Sequence, residues 1–416
     1  MIPMPAQTTL WRDRNFVRLW LAQSISAFGA RITRDGLPVA AVLTLGASPA
    51  QIGLLSALAN GPALIVGLAA GGLVDRSRRR RLMIWADVGR ALVLAAVPVA
   101  ALLHVLALPQ LYLTAALVGA ASVLFEIADH AYLPSLVARE DLTAANASLS
   151  STEAVAEIAG PALAGVLFQV FAGPVAIAAN AATYLVSAAV LGTIRRPEPA
   201  PVSEPQVRWM EDVTKGFRTA LAEPLVRPLM LIAGWQSLFG GVFGALYVIF
   251  CLKVAHLTPG LLGLTIAAGG IGALAGALVA GTMSRRLGVG PAILVAQLAY
   301  GGALLLVPLA PGEPIGGMTS LLIAQLFGDA FAIASIVLAV SLRQTVIPDA
   351  LLGRVGAAFK AVGGGGAVIG ALVGGVVGEH LGVRPALWVA ALGILVAPLL
   401  AVGSQLPRLR KMPGEG

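Results

Sequence analysis

A chain of 416 residues with 58% hydrophobic and 12% charged residues departs from the roughly 45–50% apolar and 25% charged make-up of a soluble domain, which excludes a water-soluble globule. The length accommodates twelve spans of about 20 residues each, with short loops and one longer connector, and leaves no room for a large soluble domain. The single cysteine, Cys251, excludes an internal disulfide and a cysteine metal cluster, and no cofactor is expected.

Taken in chain order, apolar runs predict membrane-spanning helices at 15–43, 50–73, 84–106, 110–133, 148–170, 174–194, 228–252, 261–282, 291–309, 317–341, 355–378 and 384–404. Pro49, Pro109, Gly173-Pro174, Pro259-Gly260, Pro311-Gly312 and Arg384-Pro385 punctuate one side, where connectors are short. Most of the 28 Lys and Arg fall on the other side, before the first span, after the second, in the central connector and in the tail. The net charge of +8 is therefore an orientation signal that places both termini in the cytoplasm of a cell-membrane protein and demands an even number of spans. A nucleic-acid surface is not expected, because the aromatic residues lie mostly inside the apolar runs rather than between the arginines. Arg12 to Arg18 followed by an apolar run imitates a secretory signal, but Arg31, Arg34 and Asp35 interrupt the run and no small-residue cleavage site ends it, so it is read as an uncleaved first helix.

The halves echo one another. Gly72 matches Gly281, Val137 matches Val346, Leu142 matches Leu351, Gly160 matches Gly370 and Pro174 matches Pro385, at offsets of 209 to 211 residues. The expected architecture is an all-α polytopic membrane protein, with twelve transmembrane helices in two six-helix halves related by a pseudo-twofold along the membrane normal, enclosing a central cavity. The halves are residues 1–194 and 228–416, the latter ending in a short cytoplasmic tail. Residues 195–227, rich in Pro and charge, form a cytoplasmic linker that is in part an amphipathic helix.

After the second span comes Gly71-Gly72-Leu73-Val74-Asp75-Arg76-Ser77-Arg78-Arg79-Arg80-Arg81. This order of small residues, an acid and a basic cluster resembles the signature loop of the major facilitator superfamily of secondary transporters. The segments LWLAQSISAFG, YLPSLVAREDLTAANASLS and RQTVIPDALLGRVGAAF resemble the branch of the enterobactin, macrolide and drug exporters, and the likeness covers nearly the whole chain. It implies a rocker-switch transporter with alternating access. It also implies a gating role for Gly72, Asp75, Arg76 and Arg79, in which Asp75 pairs with a neighbouring arginine or caps a helix to hold one access state; the plainer alternative is that Asp75 only relieves repulsion among the arginines. AEIAGPALAG in the fifth span resembles, in part, the Gly-Pro antiporter motif. There Gly160, Pro161 and Gly165 lie on a span whose small residues at 156, 160 and 164 offer another helix a close approach, as a hinge or as tight packing.

An ionisable side chain inside a span costs about 2.5–3.5 kcal/mol on insertion scales, which makes each one a functional candidate. Arg31 and Asp35 are four residues apart on one helical face and are expected to pair. Separating them would let Asp35 take up a proton, whereas a lasting pair would be structural. Glu126, Asp129 and His130 on the fourth span and Glu153 and Glu157 on the fifth predict an acidic patch near the inner mouth, open to protons or cationic cargo or else solvated by cytoplasmic water. Of these, Glu126 and Glu157 lie deeper and are preferred. Asp329, near the middle of the tenth span, has Ala120 as its repeat counterpart, which argues against a framework role and marks it as a proton or cation site. Gln23, Asn60, Gln236 and Gln325 are polar candidates for the cavity wall. The fourth span lacks the arginine found in many proton-driven drug exporters.

No P-loop is present, since Gly363 to Gly366 is not followed by Lys and Ser or Thr, so the energy source is a gradient. The expected function is proton-coupled export of small amphipathic molecules, drugs or siderophores, by a monomer in the lipid bilayer that takes a small-molecule substrate and protons as partners. A nutrient uniporter or symporter, or a lysophospholipid flippase, is the alternative on the same scaffold. A membrane enzyme or receptor is the remote one, because the four histidines are scattered.

Overall fold

A computed structural model describes residues 10–75, 77–171, 173–196, 198 and 209–413, excepting the side chains of 67–75, 209, 210 and 212. The chain divides into two compact units, Met1–Gly46 with Leu58–Gln206, and Ala47–Ala57 with Val207–Gly416. Among the described residues the regular structure is helical throughout.

The first six long helices are α1 (Arg14–Leu45), α2 (Pro49–Asp75), α3 (Arg79–Leu102), α4 (Leu108–Leu136), α5 (Leu142–Val170) and α6 (Gly173–Gly192). The amphipathic α7 (Trp209–Ala222) follows, then α8 (Val226–Lys253), α9 (Pro259–Leu287), α10 (Val289–Leu304) with a further turn Leu306–Leu309, α11 (Pro314–Val346), α12 (Asp349–Leu381) and α13 (Val383–Val396). Local chemistry sets the ends. Asp13 accepts the Asn15 N–H at 2.8 Å to start α1, and Gly46 ends it at φ 64°, a left-handed conformation that favours glycine. Among the described residues eleven helices are long and apolar enough to cross a membrane. Of the other two, α7 is short, and α1 has the length at 32 residues but carries Arg31, Arg34 and Asp35 in its second half. Large exposed apolar side chains such as Leu43, Leu92, Leu113, Leu278 and Ile315 suit helices that face lipid, where every backbone polar group is satisfied within the helix.

The duplication read from the sequence recurs in the packing inside each unit. In the first, α1 packs on α5 and α6, and α3 on α4 and α6; in the second, α8 packs on α12 and α13, and α10 on α11 and α13. Proline and glycine are used differently. Pro38, Pro62, Pro98, Pro134 and Pro161 sit inside helices of the first set, and Pro161 does not interrupt α5. In the second unit Gly272 and Gly276 of α9 lie against the carbonyls of Leu326 and Ala330 of α11, so closely that a side chain would collide with backbone. The start of α2, as far as Ala57, belongs to this second unit, where Glu379 of α12 accepts the Ala50 N–H at 3.2 Å.

Each unit also fastens the connector after its second long helix with the segment that follows its sixth. In the first unit the Arg79 N–H at the start of α3 donates to the Glu198 carboxylate, and the Arg80 guanidinium donates to the Ile194 carbonyl. In the second, Gly290 N–H donates to the Leu409 carbonyl at 2.9 Å and Val289 N–H to the Arg410 carbonyl at 3.3 Å. The expected tail is therefore folded back onto α10, with Leu406 buried.

Candidate functional site

A cavity of about 370 Å³ opens within the first unit. From α1 it takes Gln23, Ala27, Ala30, Arg31 and Arg34, from α3 Arg90, from α4 Ser122, Glu126, Asp129 and His130, and from α5 Thr152, Glu153 and Ala156. The α1 and α4 sets recur at three- and four-residue intervals, which puts each on one helical face. Gln23 donates its amide to the Asp129 carboxylate. Glu126, Asp129 and Glu153 stand without a cation at ion-pair distance among the described residues. Glu126 is exposed, whereas Asp129 is half-buried and bonded to an amide, so Asp129 is the better sheltered of the two.

At the edge of the cavity the pairing differs from the sequence expectation. Arg31 pairs with Glu157 of α5, not with Asp35. Arg34 bridges Asp35 at 3.2 Å and Glu157 at 3.3 Å. The reason is tertiary: α5 comes so close to α1 at Gly160 that a Cβ placed there would lie 2.7 Å from Arg31 Cβ. The arginine stem therefore crosses α5, and its head reaches the carboxylate one turn before Gly160. Gly160, Pro161 and Gly165 are all buried on this contact-rich side of α5, together with Ala156 and Ala164.

Arg90, which lines the cavity, pairs with a buried acid that the sequence reading passed over. Asp87 is 0% exposed and Arg90 2%, and they form an ion pair on α3. Arg90 also donates to Ser26 at 3.2 Å and to Ser122 at 3.3 Å, and lies over the rings of Phe125 and Tyr184 at 4.6 and 4.3 Å. The signal was an acid and an arginine three residues apart inside the apolar run 84–106.

A basic connector, a duplicated six-helix packing pattern and a charged cavity inside one half describe a transporter scaffold, and the comparisons agree. Residues 7–413 match the family described as transmembrane secretion effector, a branch of the major facilitator superfamily. The chain belongs to this family. It is 29% identical over 407 residues to the enterobactin exporter of Salmonella typhi, covering 96% of this chain and 94% of that one. It is 27% identical over 412 residues to an uncharacterized MFS-type transporter of Bacillus subtilis strain 168, covering 96% and 95%. Its fold is similar to that of a bacterial homologue of the iron transporter ferroportin in its inward-facing state, with a TM-score of 0.75 at 18% identity over 95% of this chain and 98% of that one. The protein is a multi-pass membrane transporter of the major facilitator superfamily.

The other candidates of this transporter do not line the cavity. Asp329 and Gln325 of α11 sit together in the second unit over Gly269 of α9, where a Cβ would collide with the Asp329 carboxylate and lie 3.5 Å from Gln325 Nε2. Gln236 has a buried amide nitrogen without a partner among the described residues, and Asn60 is exposed. Of the four polar candidates for the wall, only Gln23 lines the described cavity. Of the loop expected to gate, Arg76, the side chain of Asp75 and the surroundings of Gly72 lie outside the described residues. Arg79 serves through its backbone N–H at the start of α3. Among the described residues no group of three or more His, Cys, Asp and Glu is placed to hold a metal ion.

Proposed function

We propose that this transporter exports small amphipathic molecules in exchange for protons by alternating access, as a monomer in the cell membrane with both termini cytoplasmic. The observation that carries the reading is the cavity wall. Glu126, Asp129 and Glu153 face one volume without a paired cation among the described residues, next to a cluster in which Arg31 and Arg34 hold Glu157 and Asp35. A carboxylate in such a place accommodates a proton or a cationic group of a cargo. Occupancy by one excludes the other, and that competition is the chemical basis of exchange. The arginine cluster supplies a second element that switches partners when α1 and α5 shift. The likeness to an enterobactin exporter supports outward transport as the direction and siderophores, beside drugs, as cargoes to test.

Inverted membrane vesicles containing the protein, given an inward-acid pH gradient and a panel of fluorescent amphiphiles and siderophores, test the reading. Accumulation that collapses with the gradient is expected, with a strong reduction for Asp129→Asn and for Glu157→Gln. Accumulation indifferent to the gradient refutes proton exchange and leaves a uniporter or lipid flippase.

A further inference from the structure

We propose that Gly160 of α5 is a positioning residue: the missing side chain is the seat across which the Arg31 stem reaches Glu157. A Cβ at 160 would lie 2.7 Å from Arg31 Cβ and 3.0 Å from Arg31 Cγ, and no other atom comes as near. Both distances are shorter than ordinary carbon contacts of about 3.5–4.0 Å. The neighbour that would have to yield is the root of the arginine side chain, fixed to the α1 backbone, rather than its mobile end. Any side chain at 160 therefore pushes α1 and α5 apart or turns Arg31 away from Glu157. The general reading of a small residue in a membrane helix is close helix packing; here the atoms approached belong to one ionisable residue, which gives this glycine a role in the charge arrangement itself.

The charged groups around Glu157 are Arg31, Arg34 and Asp35 on α1 and Glu153 on α5. On α6, which also packs on α5, no Asp, Glu, Lys, Arg or His occurs in Gly173–Gly192. Displacing Arg31 leaves Arg34 as the one cation beside two acids. The effect on transport rests on the proton-exchange reading above; the structural claim does not.

A double-mutant cycle separates the two. Gly160→Ala, Arg31→Gly and the double variant are purified, and their unfolding temperatures and the pH profile of transport in vesicles are measured. Gly160→Ala should lower the unfolding temperature in the native background and have little effect once Arg31 is glycine, because both colliding atoms, Cβ and Cγ, are then gone. It should also change the pH profile of transport in the way that Arg31→Gly changes it, since both variants disrupt the Arg31–Glu157 pair. If Gly160→Ala alone does not accumulate and the double variant does, the seat is supported by that rescue. Equal destabilisation in both backgrounds, or failure of both to accumulate, overturns the proposal and leaves Gly160 as plain helix packing. A coupled cycle with transport independent of pH keeps the seat and removes the proton-exchange reading.

Discussion

Charge is distributed unequally between two units built on the same packing pattern. In the first, Arg31 and Asp35 on α1, Asp87 and Arg90 on α3, Glu126 and Asp129 on α4 and Glu157 on α5 lie inside membrane helices. At the 209-residue offset of the repeat, Arg31 and Asp35 correspond to Gly240 and Gly244, and Asp87 and Arg90 to Ala296 and Ala299, while at the 210-residue offset of Gly160 and Gly370, Glu157 corresponds to Ala367. The second unit answers with Asp329, whose counterpart is Ala120, and with glycines that bring α9 onto α11 and α8 onto α12. Buried polar residues follow the same division, with Ser26, Thr33, Asp87, Arg90, Thr114, Asn180 and Ser187 in the first unit against Thr265, Gln297 and Ser335 in the second. The lesson is that two units with one packing pattern have different interiors, richer in buried ionisable groups in the first and in close backbone contacts at glycine in the second.

The largest test of that division is the buried Asp87–Arg90 pair. Arg90→Ala leaves the Asp87 carboxylate buried and alone, which should cost about 3–5 kcal/mol of stability. The double variant Asp87→Asn, Arg90→Gln should recover most of the loss, because no uncompensated charge remains. Asp329→Asn in the second unit should destabilise far less. Thermal unfolding of the purified variants in detergent decides it: a smaller loss for Arg90→Ala than for Asp329→Asn would show that the first unit does not depend on its internal charge.

Next comes the coupling cluster. Arg31 and Glu157 are 26% and 41% exposed at the side chain, so water screens the pair and Glu157→Gln should change stability by no more than about 1 kcal/mol. Transport should suffer more. A coupling free energy of the usual size corresponds to about 5- to 150-fold, and a loss in that range of gradient-driven accumulation, with little change in unfolding temperature, is the expected signature. Asp329→Asn run beside it ranks the two units directly, and an equal loss in both would dissolve the functional asymmetry.

The difference in legibility between fold and site has the same origin. Apolar runs, proline punctuation and the side chosen by basic residues are local or statistical signals, so the helices and their duplication could be read from the chain. Arg31, Glu126, Glu157 and Asp329 could be recognised for the same reason, as charges where hydrocarbon is expected. Their partners could not. The four-residue spacing of Arg31 and Asp35 pointed to a local pair, but the close approach of α5 at Gly160 hands Arg31 to Glu157, and that approach is a tertiary fact. Asp87 was legible in principle, since it lies in an apolar run with Arg90 three residues later. The Glu198 contact with α3 joins positions 119 residues apart, through a linker whose composition shows only that it is polar.

The glycine side of the comparison yields a smaller effect. Gly276→Ala would drive a methyl group into the Ala330 carbonyl, and overpacking of this kind costs about 1–3 kcal/mol. Gly244, which has open space where a Cβ would stand, is the control, and Gly244→Ala should be neutral or stabilising by about 0.5–1 kcal/mol, as expected for a mid-helix glycine. If both substitutions destabilise equally, the α9 and α11 contact is not as close as described.

The smallest effect concerns the fastenings after the sixth helices, which are equivalent in position and different in chemistry. In the first unit a carboxylate, Glu198, meets the N-terminus of α3, an arrangement worth about 0.3–1 kcal/mol at low ionic strength through the helix dipole and screened by salt. In the second, backbone carbonyls of Leu409 and Arg410 take the N–H groups that start α10, and a neutral hydrogen bond is nearly blind to salt. At about 1 M salt the Debye length falls to about 3 Å, so amide exchange at residues 79–82 should speed up with added salt while that at residues 289–292 stays constant. Glu198→Gln should reproduce the high-salt exchange of the first connector at low salt and make it insensitive to further salt. Equal salt response at both connectors would mean that the first is held by the Arg80 bond to Ile194 rather than by the carboxylate. The first unit's reliance on charge would then stop at its cavity and not extend to its rim.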